Sequence, residues 1–476
     1  MKREKGSIAI FVLVALLFMS AFLIISFASN INKSKTVKEQ FNIISGIYAY
    51  ANGEEGAYDK AYSDLRNKNK QTMTASSENS STLELTKTFD ENMSNYRIYG
   101  NSIQNGTPTP DNPVEVQSVG DMANLFNFND INFKNQNPSF KLNIEKQDNS
   151  IIIDNSTNQG GSYAYTNNIE CLNLKPNTTY TSKAKVILSC TQTGGTSAGS
   201  MAGCLYLQTN NTFDTGTKYL IVGETGFIES HKGEEYIVYS TFTTPTDMIE
   251  YKYLATRVTG YGIITFSDIV LVEGSYNKDT FPISDYVPYG KYKIPVKLTN
   301  ESGESETTNI YLDEPLRKVG DYADYIDFKT GKVVRQIKEK QLVSTMSYDS
   351  YTYNNLRGVF FNFLDQSSSR IPGYCNRENQ IGDYYGSTGH YMWLGVGNTY
   401  VYWVGILDKL GLSTIDEFKS WLNNNSTYIC FPLATPTEQT ITLPQLKSFE
   451  DYTKIEVLTS VAPSKIEVEY MGYTLE

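Results

Sequence analysis

The spacing of apolar positions changes along this chain, and each change marks a different kind of element. From Ile8 to Ala28 the run is almost continuous, with Ser20 and Ser26 as its polar exceptions. A helix of that length rises roughly 30 Å, the depth of a bilayer core. Lys2, Arg3 and Lys5 stand ahead of it. The pattern predicts a basic N-terminus and transmembrane anchor over 1–29, with Ile8, Phe11, Leu16, Phe22, Ile25 and Ala28 as anchor residues. The apolar region of a cleaved leader is shorter, about 7 to 15 residues, so a retained span is expected. Ser26-Phe27-Ala28 is a small-x-small pattern, which makes cleavage after Ala28 the alternative. Basic residues ahead of the span put the N-terminus on the cytoplasmic side and the rest outside the cell membrane. A secreted or virion-associated location is the alternative.

Beyond the span, Val37, Phe41, Ile44 and Tyr48 recur at helical spacing and predict a helical stem over 30–70. From 71 to 95 the chain turns to Thr, Ser, Asn and Glu, which predicts a polar linker or a weakly ordered strand. Residues 96–121 carry Pro108, Pro110 and Pro113, then Val114, Val116 and Val119. Proline fixes φ and donates no hydrogen bond, so an extended connector leading into a strand is expected.

A period of two follows. Tyr180, Ala184, Val186 and Leu188 alternate with polar residues, as do Tyr236, Val238 and Phe242, while Ile263–Val272 is nearly continuous. Short strands between Gly/Asn/Thr turns predict a jelly-roll-like β-sandwich over 122–290. The remainder, 291–476, predicts a second β-rich module. It holds a hairpin around Gly331 and one short helix, STIDEFKSWL, capped by Ser413 or Thr414 with Ile415, Phe418 and Leu422 as its apolar face. The fold class is therefore mainly β. Val119-Gly120-Asp121-Met122-Ala123-Asn124 is echoed by Val319-Gly320-Asp321-Tyr322-Ala323-Asp324, which suggests one turn used twice, its glycine at positive φ.

Composition narrows function by exclusion. A net charge of −11 over 476 residues leaves no basic footprint, so no nucleic-acid partner is expected. The five cysteines show no C-x-x-C spacing, and the two histidines, His231 and His390, are far apart. Isolated buried thiols are expected, with no metal site, no cofactor and no disulfide framework. Gly195-Thr196-Ser197-Ala198-Gly199 matches G-x-S-x-G, but a polar gap separates it from the preceding strand, unlike a nucleophile elbow. Asp154, Ser156 and Asn158 before Gly160-Gly161 loosely follow a calcium loop without its spacing, so a structural Ca²⁺ is the one ion left open.

Two resemblances add to this. Lys5-Gly6-Ser7 leading into an apolar helix and stem is similar to the N-terminus of type IV pilins or Tad-type pseudopilins, which implies a pilus-like assembly. That family carries a glutamate five residues past the glycine, where this chain has Phe11. The strings YGNSIQNGTPTPDNPVEVQSVGD, ITFSDIVLVEGSY with YVPYG, and LRKVGDYADYIDFKTGKVVRQI resemble minor tail or receptor-binding proteins of Firmicutes bacteriophages and prophage-like surface proteins. The likeness runs from about Tyr96 to Tyr470 and implies carbohydrate-binding-like β modules that contact a cell surface. Soluble tail proteins do not usually begin with a membrane span.

The aromatic cluster Tyr384, Tyr385, His390, Tyr391, Trp393, Tyr400, Tyr402 and Trp403, opened by glycines 386, 389, 395 and 397, is the candidate ligand site. Flat rings stack on sugar C–H faces. The alternation around Tyr402 and Trp403 equally fits a strand with a core face. These features lead to the expectation of a membrane-anchored, non-enzymatic adhesion protein on a Gram-positive cell, recognising a glycan or cell-surface receptor. A pilin-like fibre subunit, a homo-oligomer and a phage or prophage minor tail protein are the alternatives.

Overall fold

Alternating sequence does become sheet, but the sheets are assembled from segments far apart in the chain. The computed structural model describes residues 70–473 apart from 87–92, 94, 136–142, 157–161, 167–171, 173, 190–202, 209–217, 223–232, 247–252, 259–261, 354–355, 364–372, 382–391 and 397–400. The anchor at 1–29 and the stem up to residue 69 lie outside the described residues. Among the described residues no helix is long and apolar enough to cross a membrane.

The stretch expected as a polar linker contains two strands, β1 (Lys70–Glu78) and β2 (Thr82–Thr86). β1 pairs antiparallel with Lys465–Tyr473, near the other end of the chain, from Lys70 opposite Tyr473 to Glu78 opposite Lys465. Composition alone reads this stretch as a polar linker or a weakly ordered strand. It folds because Met73, Ala75, Leu83 and Leu85 need only one apolar face, and the distant partner strands complete it.

β3 (Asn95–Tyr99) lies between Lys465–Tyr473 and Tyr325–Asp327. The resulting sheet has eight strands in the order β1, Lys465–Tyr473, β3, Tyr325–Asp327, Lys332–Leu342, Thr427–Thr440, Gly373–Cys375 and Glu378–Ile381. A second sheet runs Ser305–Leu312, Tyr292–Thr299, Tyr452–Val457 and β2. One apolar core is built from both sheets, including Tyr96, Ile98, Ile294, Val296, Ile326, Val333, Ile455 and Ile466.

The expected connector is likewise sheet and hairpin. After β3, Ser102–Gln104 pairs with Val116–Ser118, and the three prolines occupy the intervening loop. Val114 N donates to Asn376 O (2.7 Å), while Gln104 Nε2 donates to Cys375 O (2.6 Å) and Glu378 O (3.0 Å). The prolines thus sit where no ladder bond is required of them.

Between Met122 and Lys291 the chain forms a β-sandwich of two five-stranded antiparallel sheets. One runs Lys218–Val222, Gly203–Gln208, Tyr253–Val258, Ser162–Thr166 and Lys134–Asn135. The other runs Glu235–Thr243, Thr179–Ser189, Ile263–Glu273, Ser150–Asp154 and Asn143–Gln147. Ile151, Ile153, Tyr180, Ala184, Val186, Ile264 and Phe266 fill its core. The insertion leaves and rejoins the outer module side by side, because Met122 pairs with Tyr292 and Ala123 N donates to Lys291 O (2.8 Å).

A four-stranded sheet, Asp349–Tyr353, Leu356–Phe363, Val401–Ile406 and Met392–Val396, leads into two helices, α1 (Leu407–Leu410) and α2 (Ile415–Asn424). Thr414 caps α2, with a capping box closed by Glu417, and Phe418 and Leu422 are buried. The echoed turn behaves as its glycines suggest, with φ of +118° at Gly120 and +58° at Gly320.

Candidate binding surface

Three of the eight residues of the aromatic cluster lie on described strands. Tyr384, Tyr385 and Tyr391, with His390 and Tyr400, lie outside the described residues. Trp393 is on Met392–Val396, and Tyr402 and Trp403 are on Val401–Ile406. The register sets Trp393 opposite Val404, Gly395 opposite Tyr402, and Leu394 opposite Trp403. Tyr402 also faces Asn362, and Trp403 faces Phe361, across the other ladder. Cross-strand partners share a side of a sheet, so the backbone places Trp393 and Tyr402 on one side and Trp403 on the other. Trp403 shares its side with Val359, which is fully buried. Phe360, paired with Val404 on the side of positions 393 and 402, packs against the same core as Val359, so both sides of this sheet carry a residue of that core.

A carboxylate clamp fixes this sheet to the helices. Arg357 N donates to Asp408 Oδ2 (2.6 Å), and its guanidinium donates to Asp408 Oδ1 through Nε (2.9 Å) and Nη2 (2.6 Å). Arg357 Nη1 reaches Ser413 O (3.3 Å) at the start of α2. Hydrogen bonds from Arg357 hold the Asp408 carboxyl below the usual aspartate range.

Trp421, outside the expected cluster, stacks on Phe418 at 5.9 Å and carries the Arg377 guanidinium 5.4 Å from its ring centroid. Arg377 also donates to Pro110 O and to Ser426 O (3.1 Å). This aromatic face is thus taken up by Arg377, which the proline loop holds through Pro110 O.

A second surface emerges on the sandwich. Tyr239, Tyr276 and Phe281 are half-buried and meet edge-on, at 5.5 Å for Tyr239–Phe281 and 6.2 Å for Tyr276–Phe281. Lys183 Nζ lies 5.9 Å from the Phe281 centroid and donates to Ile283 O (3.4 Å) and Ser284 O. Burial lowers the Lys183 pKa, while Asp285 and Asp268 oppose that shift. Asp268, at φ +52° beside a register shift, pairs with Lys185 at 2.9 Å. Rings flanked by a lysine and carboxylates are suited to a polar ring-shaped ligand. The sequence signal was available in the aromatics that follow strand Ile263–Glu273, namely Tyr276, Phe281, Tyr286 and Tyr289.

Cys375 and Cys430 are free, buried thiols, as expected; Cys171 and Cys190 lie outside the described residues. Burial pushes the Cys375 thiol up to about 12 and raises Cys430 as well, which makes both poor nucleophiles. Among the described residues no group of three or more His, Cys, Asp or Glu side chains could hold a metal ion. Asp154 accepts from Ser156 N (2.8 Å) and Ser156 Oγ (2.5 Å), a local turn. Asn158 and Gly160-Gly161 of the calcium-like loop, both histidines and the G-x-S-x-G stretch lie outside the described residues.

No protein-family model matches the chain, and no curated protein matches it. Among solved structures, the chain is similar to the N-terminal CBM22-1–CBM22-2 tandem domain of Xyn10C from Paenibacillus barcinonensis. The identity is 5%, with 71% of this chain and 98% of that chain covered and a TM-score of 0.21. A likeness at that TM-score carries no argument about this chain.

Proposed function

We propose that this chain is a membrane-anchored, non-enzymatic binding protein that presents β modules outside the cell and recognises a glycan or another cell-surface receptor. The observation that carries the reading is the placement of Trp393 and Tyr402 on one side of a strand pair at the edge of the four-stranded sheet. The Arg357–Asp408 clamp steadies the sheet. The apolar run at Ile8–Ala28 supplies the anchor, and the tail-like strings supply the expectation of a surface target. The reading invokes no cofactor.

The test is a glycan and whole-cell binding screen with the full chain in detergent micelles. Trp393→Ala and Tyr402→Ala should each weaken binding roughly tenfold, about 1.4 kcal/mol, without loss of folding. Absence of binding to every surface would sink the reading, and so would release of sugars from cell-wall glycans by the wild-type chain.

A pilin-like fibre subunit is the second reading, and one observation favours it. β1 begins at Lys70, at the end of the expected stem, so the body joins the stem through a paired strand. Filaments on the native cell, lost on deletion of this gene, would support that reading. A phage or prophage minor tail protein is the third, supported by particles that carry the chain.

A further inference from the structure

We propose that β1 is the seam of a homodimer, in which β1 of a second copy adds antiparallel to its outer edge and joins two eight-stranded sheets into one. β1 is the terminal strand of its sheet, and among the described residues nothing pairs with its other side. It is nine residues long, contains neither Pro nor Gly, and runs against Lys465–Tyr473 without a register shift. Such an edge presents a row of unpaired N–H and C=O groups, which proteins ordinarily block with charge, proline, a bulge or a short strand.

Several other edges are blocked in these ways. β2 has Glu84 at its centre, Ser305–Leu312 has Glu306 near its start, and Asn143–Gln147 has Glu145 and Lys146 in its interior. The long edge Glu235–Thr243 has Lys218–Val222 packed beside it. In β1 the charges stand only at the two ends, Lys70 and Glu78.

Those ends select the occupant. An antiparallel pair centred on Thr74 sets Lys70 opposite Glu78 of the second copy, Gln71 opposite Ser77, Thr72 opposite Ser76 and Met73 opposite Ala75. Opposite charges and Thr–Ser pairs across strands are favourable. Every pair has matching parity, so half-buried Met73, Ala75 and Ser77 stay on the core side while exposed Thr72, Thr74 and Ser76 stay outside. A slip by one residue would set core positions against outer ones. Glu78 is 66% exposed and only 4.0 Å from Lys465, a loose pair that leaves it open to a second cation. The seam is isologous and closes on itself, as two-fold dimers do. It is independent of what the body binds.

The test uses the full chain in detergent micelles under mild oxidation. Paired Cα atoms across a ladder stand about 4.5 to 5.5 Å apart, within disulfide reach, so Thr74→Cys should give a covalent dimer. Thr72→Cys places the two thiols roughly 14 Å apart and should give only the background of the five native cysteines. Lys70→Glu should weaken the dimer, and Lys70→Glu with Glu78→Lys should restore it. The loss of the exposed Lys465 pair in the double variant matters little. Equal cross-linking at 72 and 74 would overturn the proposal, as would a monomer at every concentration. Failure of Thr74→Cys to cross-link while β1 pairs with another protein would overturn it too.

Discussion

Asn124 and Asp324 occupy the same place in the echoed turn, and each is buried, yet their partners differ in sign. Asn124 Nδ2 donates to Ile269 O (2.9 Å) and Val287 O (2.8 Å), and its Oδ1 accepts from Phe126 N (2.9 Å) and Leu271 N (3.0 Å). Asp324 meets donors only: Gln336 N (2.7 Å), Ile337 N (2.9 Å), Arg317 N (3.1 Å) and Arg335 Nη1 (3.2 Å). One letter of difference in the repeat thus matches the donors and acceptors around it. Asn124→Asp puts an acceptor against two buried carbonyls and should destabilise by about 3 kcal/mol or more. Its carboxyl pKa would be raised in the folded state. The deficit should therefore be smallest in acid and grow as pH rises past the unfolded value of about 3.9. Chemical denaturation across that range checks this, and a pH-independent deficit would count against it. Asp408 has the opposite sign. Its folded pKa is depressed by Arg357, so its contribution is present above the unfolded pKa and is lost as pH falls through the folded one. Asp408→Asn should flatten the acid limb of the melting curve.

At the scale of elements, the decisive segments are β1 and β2, whose sequence is mostly Ser, Thr and Glu. Their apolar residues Leu83 and Leu85 are buried in the core shared with Ile455, Val457 and Ile466. A fragment starting at Tyr96 discards both strands and leaves Lys465–Tyr473 and Tyr452–Val457 without neighbours on that side. It should be protease-sensitive and lack a cooperative melt, whereas one starting at Lys70 should fold. Circular dichroism and limited proteolysis of the two fragments decide it. The helix α2 is the contrasting case, with Thr414, Glu417, Phe418 and Leu422 all local signals. Its bounds were legible to within a few residues because capping and periodicity lie within one short window. β1 was not, because its partner is nearly four hundred positions away.

At the scale of the molecule, the sandwich is an insertion into a module built from both flanking stretches of chain. Its points of departure and return are adjacent at Met122–Tyr292 and Ala123–Lys291. Short separation of the ends makes such an insertion tolerable to its host. Replacing 124–289 by a short glycine linker should leave the outer module with a cooperative transition. That transition should be weakened by loss of the contacts that Tyr311 makes with Val270, Val272, Ile283 and Val287. Calorimetry of the excised protein checks this, and a molten outer module would refute it. The candidate surfaces follow the same division. The aromatics of the C-terminal half were visible as a cluster, but which side of the sheet each takes depends on register, and register is set by pairing.

The sequence by itself determined the local periods: apolar positions alternating in the long strands, the capped helix, the glycine turns at 120 and 320, and the lack of a basic footprint. Each depends on a few neighbouring residues, so each can be read without knowing the fold. Tertiary structure decided which strands meet. It put Lys70–Glu78 beside Lys465–Tyr473, set the proline loop against Cys375–Glu378, and separated Trp403 from Trp393 and Tyr402. Pairing between distant segments is governed by the shared apolar face they bury, and no local window contains both halves of that face.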